Sequence, residues 1–417
     1  MSGKATTNWA GNITYGAAGV HRPGSLDELR SLVQHSRRIR ALGSGHSFSP
    51  VADTSGELVS LDGLPPVVEI DAASSTATVA AGMRYGEVAV ELQRAGFALA
   101  NLASLPHISV AGSCATGTHG SGDRQRVLAA SVSALQVVGP DGDLVELGQD
   151  RDDGTFAGSV VALGALGVVT RLTLDIEPGF EVAQRVYLGV PLDEVVERFD
   201  KMFGAAYSVS AFTDWRSGEA MVWLKHRTDG PEAAWTGGRP AQHAVHPCPG
   251  MPAESCTEQL GIAGPWHERL PHFRLDLTPS AGEELQSELF LPRDRAPAAF
   301  AAIRGLADDV APLLHVSEVR TVRADDLWLS PAYDRDSVTF HFTWVKDPAA
   351  VIPVLAAIEE LLMPMGARPH WGKLTTVAPA EIIALYDRAP EFAQLTQRYD
   401  PTGKFRNRFV DDLLPPT

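Results

Sequence analysis

Apolar residues recur every three to four positions from Leu26 to Val33, then every second position from Val67 to Ala81. That change of period separates helix from strand. Leu26, Leu29, Leu32 and Val33 predict a helix, and Ser25-Leu-Asp-Glu28 has the form of a capping box. Arg38 to Leu42 predicts a short strand that runs into glycines. The alternation from Val67 to Ala81 breaks at Ala72-Ala-Ser-Ser75 and reads as a hairpin. Gly86 to Ala95 predicts a short helix. Ser131 to Leu147 predicts a second hairpin, turned by Pro140-Asp-Gly-Asp143. Val168 to Ile176 alternates again until Glu177-Pro-Gly179.

Beyond Gly179 the elements lengthen. Leu192 to Phe203 and Pro297 to Leu306 predict helices. Met221 to His226, Leu313 to Val322 and Ser337 to Val345 predict strands. Thr236 to Pro271 is rich in Pro, Gly and His and reads as a long ordered loop. The regular βαβαβ rhythm of a doubly wound sheet is missing, so the class is α+β. The expected organisation is residues 1–178, residues 179–372, and a C-terminal segment 373–417 that packs back on the first domain.

Composition narrows the function. The 417 residues are 44% apolar and 21% charged, as in a globular protein with a sizeable core. A net charge of −16 without a Lys/Arg cluster argues against nucleic acid and anionic membranes as partners. Three scattered cysteines, Cys114, Cys248 and Cys256, argue against a disulfide framework. The first residues carry no apolar signal region, and no run approaches eighteen apolar residues. A cytoplasmic monomer is expected.

Several familiar motifs fail. Gly43-x-Gly45 is followed by Phe48, so the dinucleotide fingerprint is absent. No Walker loop and no GxSxG elbow occur. His267-Glu-Arg-Leu-Pro-His272 has one residue too many for a zinc helix, and Pro271 would break it. No metal is expected.

Two stretches remain. LGSGHSFSP, Leu42 to Pro50, places a histidine inside a tight glycine turn. SLPHISVAGSCATGTHGSG, Ser104 to Gly122, is almost bulk-free after Ala111 and can lay backbone N–H groups and small hydroxyls against a large ligand. Together they suggest a nucleotide cofactor held by backbone. With GALGVVT (Gly164 to Thr170), HWGK (His370 to Lys373) and DPTGKFRNRF (Asp400 to Phe409), the chain resembles the vanillyl-alcohol oxidase type of flavoprotein. Within that group it looks most like the alditol oxidases, relatives of the sugar-lactone oxidases. The likeness spans nearly the whole chain.

The resemblance implies an FAD-binding domain of the PCMH type and a substrate cap domain with an antiparallel sheet flanked by helices. It implies FAD bonded covalently through His46, whose neutral imidazole is the nucleophile in attachment. Ala41, Leu42, Gly43, Ser44, Gly45 and Ser47 would surround the cofactor. So would Ser104, Ser109, Val110, Ala111, Gly112, Ser113, Thr116 and Gly117. Val168 or Val169 would meet the adenine side, and His370 the ring. His107 and His119 are expected in structural hydrogen bonds, His243 and His246 in solvent, and Cys114, Tyr85, Trp215 and Trp223 in packing.

A polyol has a hydroxyl on every carbon, so its pocket must be rich in donors and acceptors. In Ser337 to Val345 the positions Ser337, Thr339, His341 and Thr343 share one face. Glu318 and Arg320 share a face between Val316 and Val322. The family's substrate residues fall on Ser104, Glu318, Arg320, His341, Thr343 and Lys373. Lys373 and Arg320 would stabilise the developing alkoxide; the others would hold the remaining hydroxyls. The base is left open between His341 and a lysine of depressed pKa. The implied reaction is oxidation of a terminal primary hydroxyl of xylitol, sorbitol or another polyol to the aldehyde, with dioxygen reduced to hydrogen peroxide. A gulono- or galactonolactone oxidase or dehydrogenase is the alternative within the class. A non-redox carbohydrate-binding protein, which predicts no flavin, is the alternative outside it.

Overall fold

The computed structural model describes residues 6–151, 154–231, 235, 237–277 and 282–415. Thr236, the first residue of the expected loop, lies outside them. The chain forms two α+β domains, each with its own hydrophobic core.

The first domain joins two sheets. Gly19–His21, Glu57–Ser60 and Ile39–Leu42 form a parallel three-stranded sheet. Val68–Asp71, Thr76–Ala80, Val168–Asp175, Val132–Val138 and Leu144–Gly148 form an antiparallel five-stranded one, in that order. The helix Leu26–His35 buries Leu29 and Val33. Ser25 caps it by accepting from the Glu28 amide, but Glu28 accepts from the Gly24 amide instead of returning to Ser25. The small-residue stretch also departs from expectation. Val110–Ala115 is a short helix, not an open backbone strip. Its lack of bulk lets the helix press against the sheet while Val110 and Cys114 face the core.

The second domain is built on a nine-stranded antiparallel sheet. Its central strands run Glu181–Pro191, Glu219–Arg227, Ser208–Thr213, Leu314–Val322, Ser337–Val345 and Glu284–Pro292, with the short Arg368–Pro369 beyond. The helices Ala296–Gly305 and Pro348–Leu362 pack on one face. That face carries Val319, Val338, Phe340, Phe342 and Trp344, all fully buried. Burying each such side chain contributes about 1.5–3 kcal/mol. Leu192 to Phe203 is two short helices broken at Arg198. Pro348–Met365 has the length and hydropathy to cross a bilayer. Here it turns Val351, Leu355, Ile358 and Leu362 inward, and its buried Glu359 accepts from Thr375 and Thr376.

The C-terminal segment ties down the first domain. Ile382, Phe392, Leu395, Phe405 and Val410 belong to its core. Asp400 accepts from the Lys404 and Phe405 amides, and the Lys404 ammonium donates to the carbonyls of Val33 and Pro140. Arg40 is fully buried and donates to the carbonyls of Val51, Leu163, Gly164 and Phe405. One guanidinium thereby joins three separated stretches of chain behind the glycine turn.

Candidate active site

A cavity of about 630 Å³ runs from the first domain to the free face of the large sheet. That volume suits a large organic ligand. Its first wall is the glycine turn, which continues directly from the Ile39–Leu42 strand. Gly45 has φ +71°, a backbone conformation that disfavours side chains. A Cβ on Gly43 would collide with Ser109 Oγ, so glycine lets the two small-residue stretches meet. Ser44 and Ser109 then bond reciprocally: each amide donates to the other's hydroxyl, at 3.3 and 3.2 Å.

His46 projects from this turn into the cavity. Trp9 stacks on its ring at 5.1 Å and 22°. The Trp9 amide donates to Gly45 O, and Asn8 Nδ2 to Ser47 O. The N-terminal segment thus fixes the imidazole. Burial, then the charge of Lys373, lowers the His46 pKa to about 4, so the ring is neutral near pH 7. Its Nδ1 is buried and meets no hydrogen-bond partner among the described residues. A neutral, oriented, unpartnered ring nitrogen beside a glycine cradle fits a large flat cofactor.

Ala41 through Ser47, Ser104, Ser109, Ala111, Gly112, Ser113, Thr116 and Val169 all line the cavity, as does His370. Three residues do not. Val110 and Val168 are fully buried in the first core, because helix and strand periodicity turns them away. Gly117 instead approaches Pro331. The hydroxyls of Ser113 and Thr116 donate to the carbonyls of Ser109 and Gly112.

The second wall is the polar face of the large sheet. Glu318, Arg320, His341 and Thr343 all stand on it, and Lys373 joins them from the turn after Arg368–Pro369. The same face carries Glu284, Gln286 and Glu288, at alternate positions of their strand. Register places His341 opposite both Glu288 and Glu318. Glu288 is the hub. Its Oε1 lies 2.6 Å from Arg320 Nη2 and 3.1 Å from His119 Nε2, and its Oε2 3.5 Å from His341 Nδ1. Burial pushes its pKa up, but Arg320 and then His119 outweigh that and hold the carboxyl well below its usual range. Lys373 donates to Gln286, and His341 Nε2 lies 3.2 Å from Thr343 Oγ1. Burial lowers the His341 pKa, and Lys373 lowers it further. Burial also lowers Lys373 to about 8, against the opposing pull of Glu288.

Sequence reading missed Glu288 and Gln286, although ELQSELFLP alternates polar residues with leucines and signals a half-polar strand. It placed His119 in structural bonds. His119 Nδ1 does donate to Gly120 O, yet its other nitrogen meets Glu288 and its ring lines the cavity. His107 bonds Leu275 O away from the cavity. His246 is buried in the cavity wall, not solvated, because the long loop folds over the sheet; His243 is exposed. Tyr85, Trp215 and Trp223 are buried, and Cys114 packs against the Tyr85 hydroxyl.

Residues 17–148 match the family model of an FAD binding domain, and residues 283–413 that of D-arabinono-1,4-lactone oxidase. The chain is 51% identical to an alditol oxidase of a Streptomyces species, over 98% of this chain and 99% of that one. It is 27% identical to the L-gulono-1,4-lactone dehydrogenase of Mycobacterium tuberculosis, over 98% and 99% of the two chains. Cholesterol oxidase from B. sterolicum shares the fold, with TM-score 0.79 at 15% identity, covering 99% of this chain and 96% of that one. The flavin-type cradle, the polar sheet face across from it and the full-length likeness agree: the chain belongs to the alditol oxidase family of FAD-dependent oxidoreductases.

Proposed function

We propose that the protein oxidises the terminal primary hydroxyl of an alditol such as xylitol or sorbitol to the aldehyde, with hydrogen peroxide as the second product. One observation carries this reading. The cavity that begins at His46 ends on a sheet face bearing Glu318, Arg320, His341, Thr343 and Lys373. That face offers a donor or acceptor to each hydroxyl of an open-chain polyol.

FAD, when bound, supplies the hydride acceptor, and dioxygen takes the two electrons from it. The chain's own residues manage the proton and the charge. At pH 7 a group with pKa about 8, such as Lys373, is mostly protonated, so Lys373 serves as a positive charge. His341, with a pKa below its usual value, is neutral and can accept the hydroxyl proton. Glu288, 3.5 Å from His341 Nδ1, stabilises the imidazolium so formed. Arg320 and Lys373 stabilise the oxygen as it becomes an alkoxide. Ser104, Thr343 and Glu318 hold the remaining hydroxyls.

We also propose that His46 attaches the flavin covalently, through the nitrogen left unpartnered, Nδ1. The three free cysteines and the net charge of −16 support a cytoplasmic monomer that meets only its polyol and dioxygen. A lactone substrate is the second reading, favoured by the match of residues 283–413 to a lactone oxidase model. The deciding experiment supplies xylitol, sorbitol and a gulonolactone separately and records peroxide. Peroxide from the lactone alone overturns the polyol reading. Acid-precipitated wild type should stay yellow and His46→Ala should not. A yellow His46→Ala pellet would place the attachment elsewhere.

A further inference from the structure

His119 crosses from one domain to the other at the active site. It belongs to the small-residue stretch of the first domain. The Gly122 amide of that stretch donates to Thr321 O at 2.9 Å, beside Arg320 on the large sheet. Ser121 donates to Val209 O of the same sheet. So anchored, the His119 side chain is 1% exposed and meets Glu288, which is equally buried.

The partners of His119 count its protons. Nδ1 lies 2.8 Å from Gly120 O, a carbonyl that can only accept. Nε2 lies 3.1 Å from Glu288 Oε1. Arg320 Nη2 stands 2.6 Å from that same oxygen, and a buried guanidinium needs the countercharge, so Glu288 is ionised and can only accept as well. A neutral imidazole has a single N–H. Either tautomer would aim a nitrogen lone pair at an oxygen lone pair inside the core. Two N–H donors satisfy both contacts.

The neighbouring histidines face different partners. The His370 ring lies 6.1 Å from that of His119, and the Gly372 amide donates to its Nδ1 at 3.0 Å. One nitrogen of His370 is thus an acceptor, and burial holds its pKa well below the usual value. His341 Nε2 faces the Thr343 hydroxyl, which can donate or accept. Only His119, of the three, is placed between two acceptors. The charges on the sheet face agree. Glu284, Glu288 and Glu318 are three carboxylates against two cations, Arg320 and Lys373. A second proton on His119 cancels that excess, which would otherwise oppose an oxygen becoming an alkoxide.

We propose that His119 is held as an imidazolium and is a positioning residue of the oxidation. Engaged by His119 and Arg320 together, Glu288 Oε1 is fixed, and Oε2 is left toward His341. The role rests on the polyol-oxidase reading above; the charge rests on the hydrogen bonds alone.

The test has two arms. The first is nitrogen NMR of holoenzyme carrying isotope-labelled histidine. Exposed histidines lose their second proton as pH rises through about 6.5. One ring should instead keep protons on both nitrogens up to about pH 8 and be missing from His119→Gln. A wild-type spectrum without such a ring overturns the inference. The second arm is steady-state kinetics on xylitol. His119→Gln still donates to Glu288 but carries no charge. Its kcat should fall about tenfold or more, with KM changed about threefold or less. The acid limb of its kcat/KM profile should move to higher pH, because loss of a nearby positive charge makes His341 easier to protonate. His119→Lys, which keeps the charge, should recover part of kcat and hold the limb near its wild-type position, and it carries this arm if His119→Gln does not fold. A loss that is equal at every pH in His119→Gln, or a limb displaced in His119→Lys, overturns the positioning role. A wild type silent on polyols overturns the polyol reading and that role with it, while the spectrum still decides the charge.

Discussion

Glu288 Oε1 lies 2.6 Å from Arg320 Nη2, and neither side chain reaches solvent appreciably. The two stand on different strands, separated by the strand that carries His341. Arg320 also faces Glu318, at 3.6 Å. A buried guanidinium between two carboxylates has one allowed position, so the charge offered to a substrate oxygen is fixed before substrate arrives.

Replacing Glu288 by Gln keeps the shape and removes the charge. Breaking a buried pair by losing one partner costs about 3–5 kcal/mol, less where the replacement still hydrogen-bonds. Glu288→Gln should therefore lower the urea midpoint while the protein still folds and retains flavin. It should lower kcat by about tenfold or more, with a smaller change in KM, because Arg320 and His341 lose their shared anchor. A variant with wild-type kcat would show that Glu288 anchors nothing the reaction uses.

The pH dependence follows from two depressed pKa values. His341 must be neutral to accept a proton, so kcat/KM falls as pH drops through a value below 6.5. Lys373 must be charged, so kcat/KM falls as pH rises through about 8. The profile of wild type on xylitol should be a bell between these limits. Lys373→Arg should move the alkaline limb upward while retaining part of the activity. An alkaline limb that stays near 8 in that variant would assign it to another group.

The two strands Leu314–Val322 and Ser337–Val345 were legible because branched and aromatic residues alternate with polar ones, and each polar residue then had to face something wet or bound. Glu318, Arg320, His341 and Thr343 come together for that reason. Glu288 obeys the same alternation, but Ser287 interrupts the apolar side of its strand, Pro292 closes it, and a lone buried carboxylate has no sequence signature. His272 also lines the cavity and was beyond reach for another reason. It owes its position to a lysine on a strand nearly fifty residues earlier and to a carbonyl of Ser104, contacts that no local periodicity encodes. Ser208–Thr213 escaped because its serines are buried in the middle of a sheet, where a polar residue reads as a turn. Val110 and Gly117 were assigned to the cofactor because a string of small residues reads as open backbone. Once that string coils into a helix, only one of its faces meets the cavity.

Asn407 couples the C-terminal segment to the glycine turn. Its Oδ1 accepts from the Val410 amide at 2.9 Å and so caps the helix Arg408–Leu413. Its Nδ2 donates to Asp53 O at 2.7 Å and Val51 O at 3.1 Å. Val51 and Ala52 line the cavity behind the turn that carries His46. Losing an N-cap costs about 1 kcal/mol, and leaving a buried acceptor short of a partner costs about 1–3 kcal/mol more. Asn407→Ala should therefore lower stability by about 2–3 kcal/mol, read as a lower urea midpoint of the holoprotein. Asn407→Asp keeps the cap and loses the donors, so its midpoint should fall between those of wild type and Asn407→Ala only if the cap carries most of the effect. If the clasp on Val51 and Asp53 carries it, the aspartate variant should be the worse of the two, because its carboxylate then faces two carbonyl oxygens. The ranking of the two variants decides which end of Asn407 holds the C-terminal segment in place.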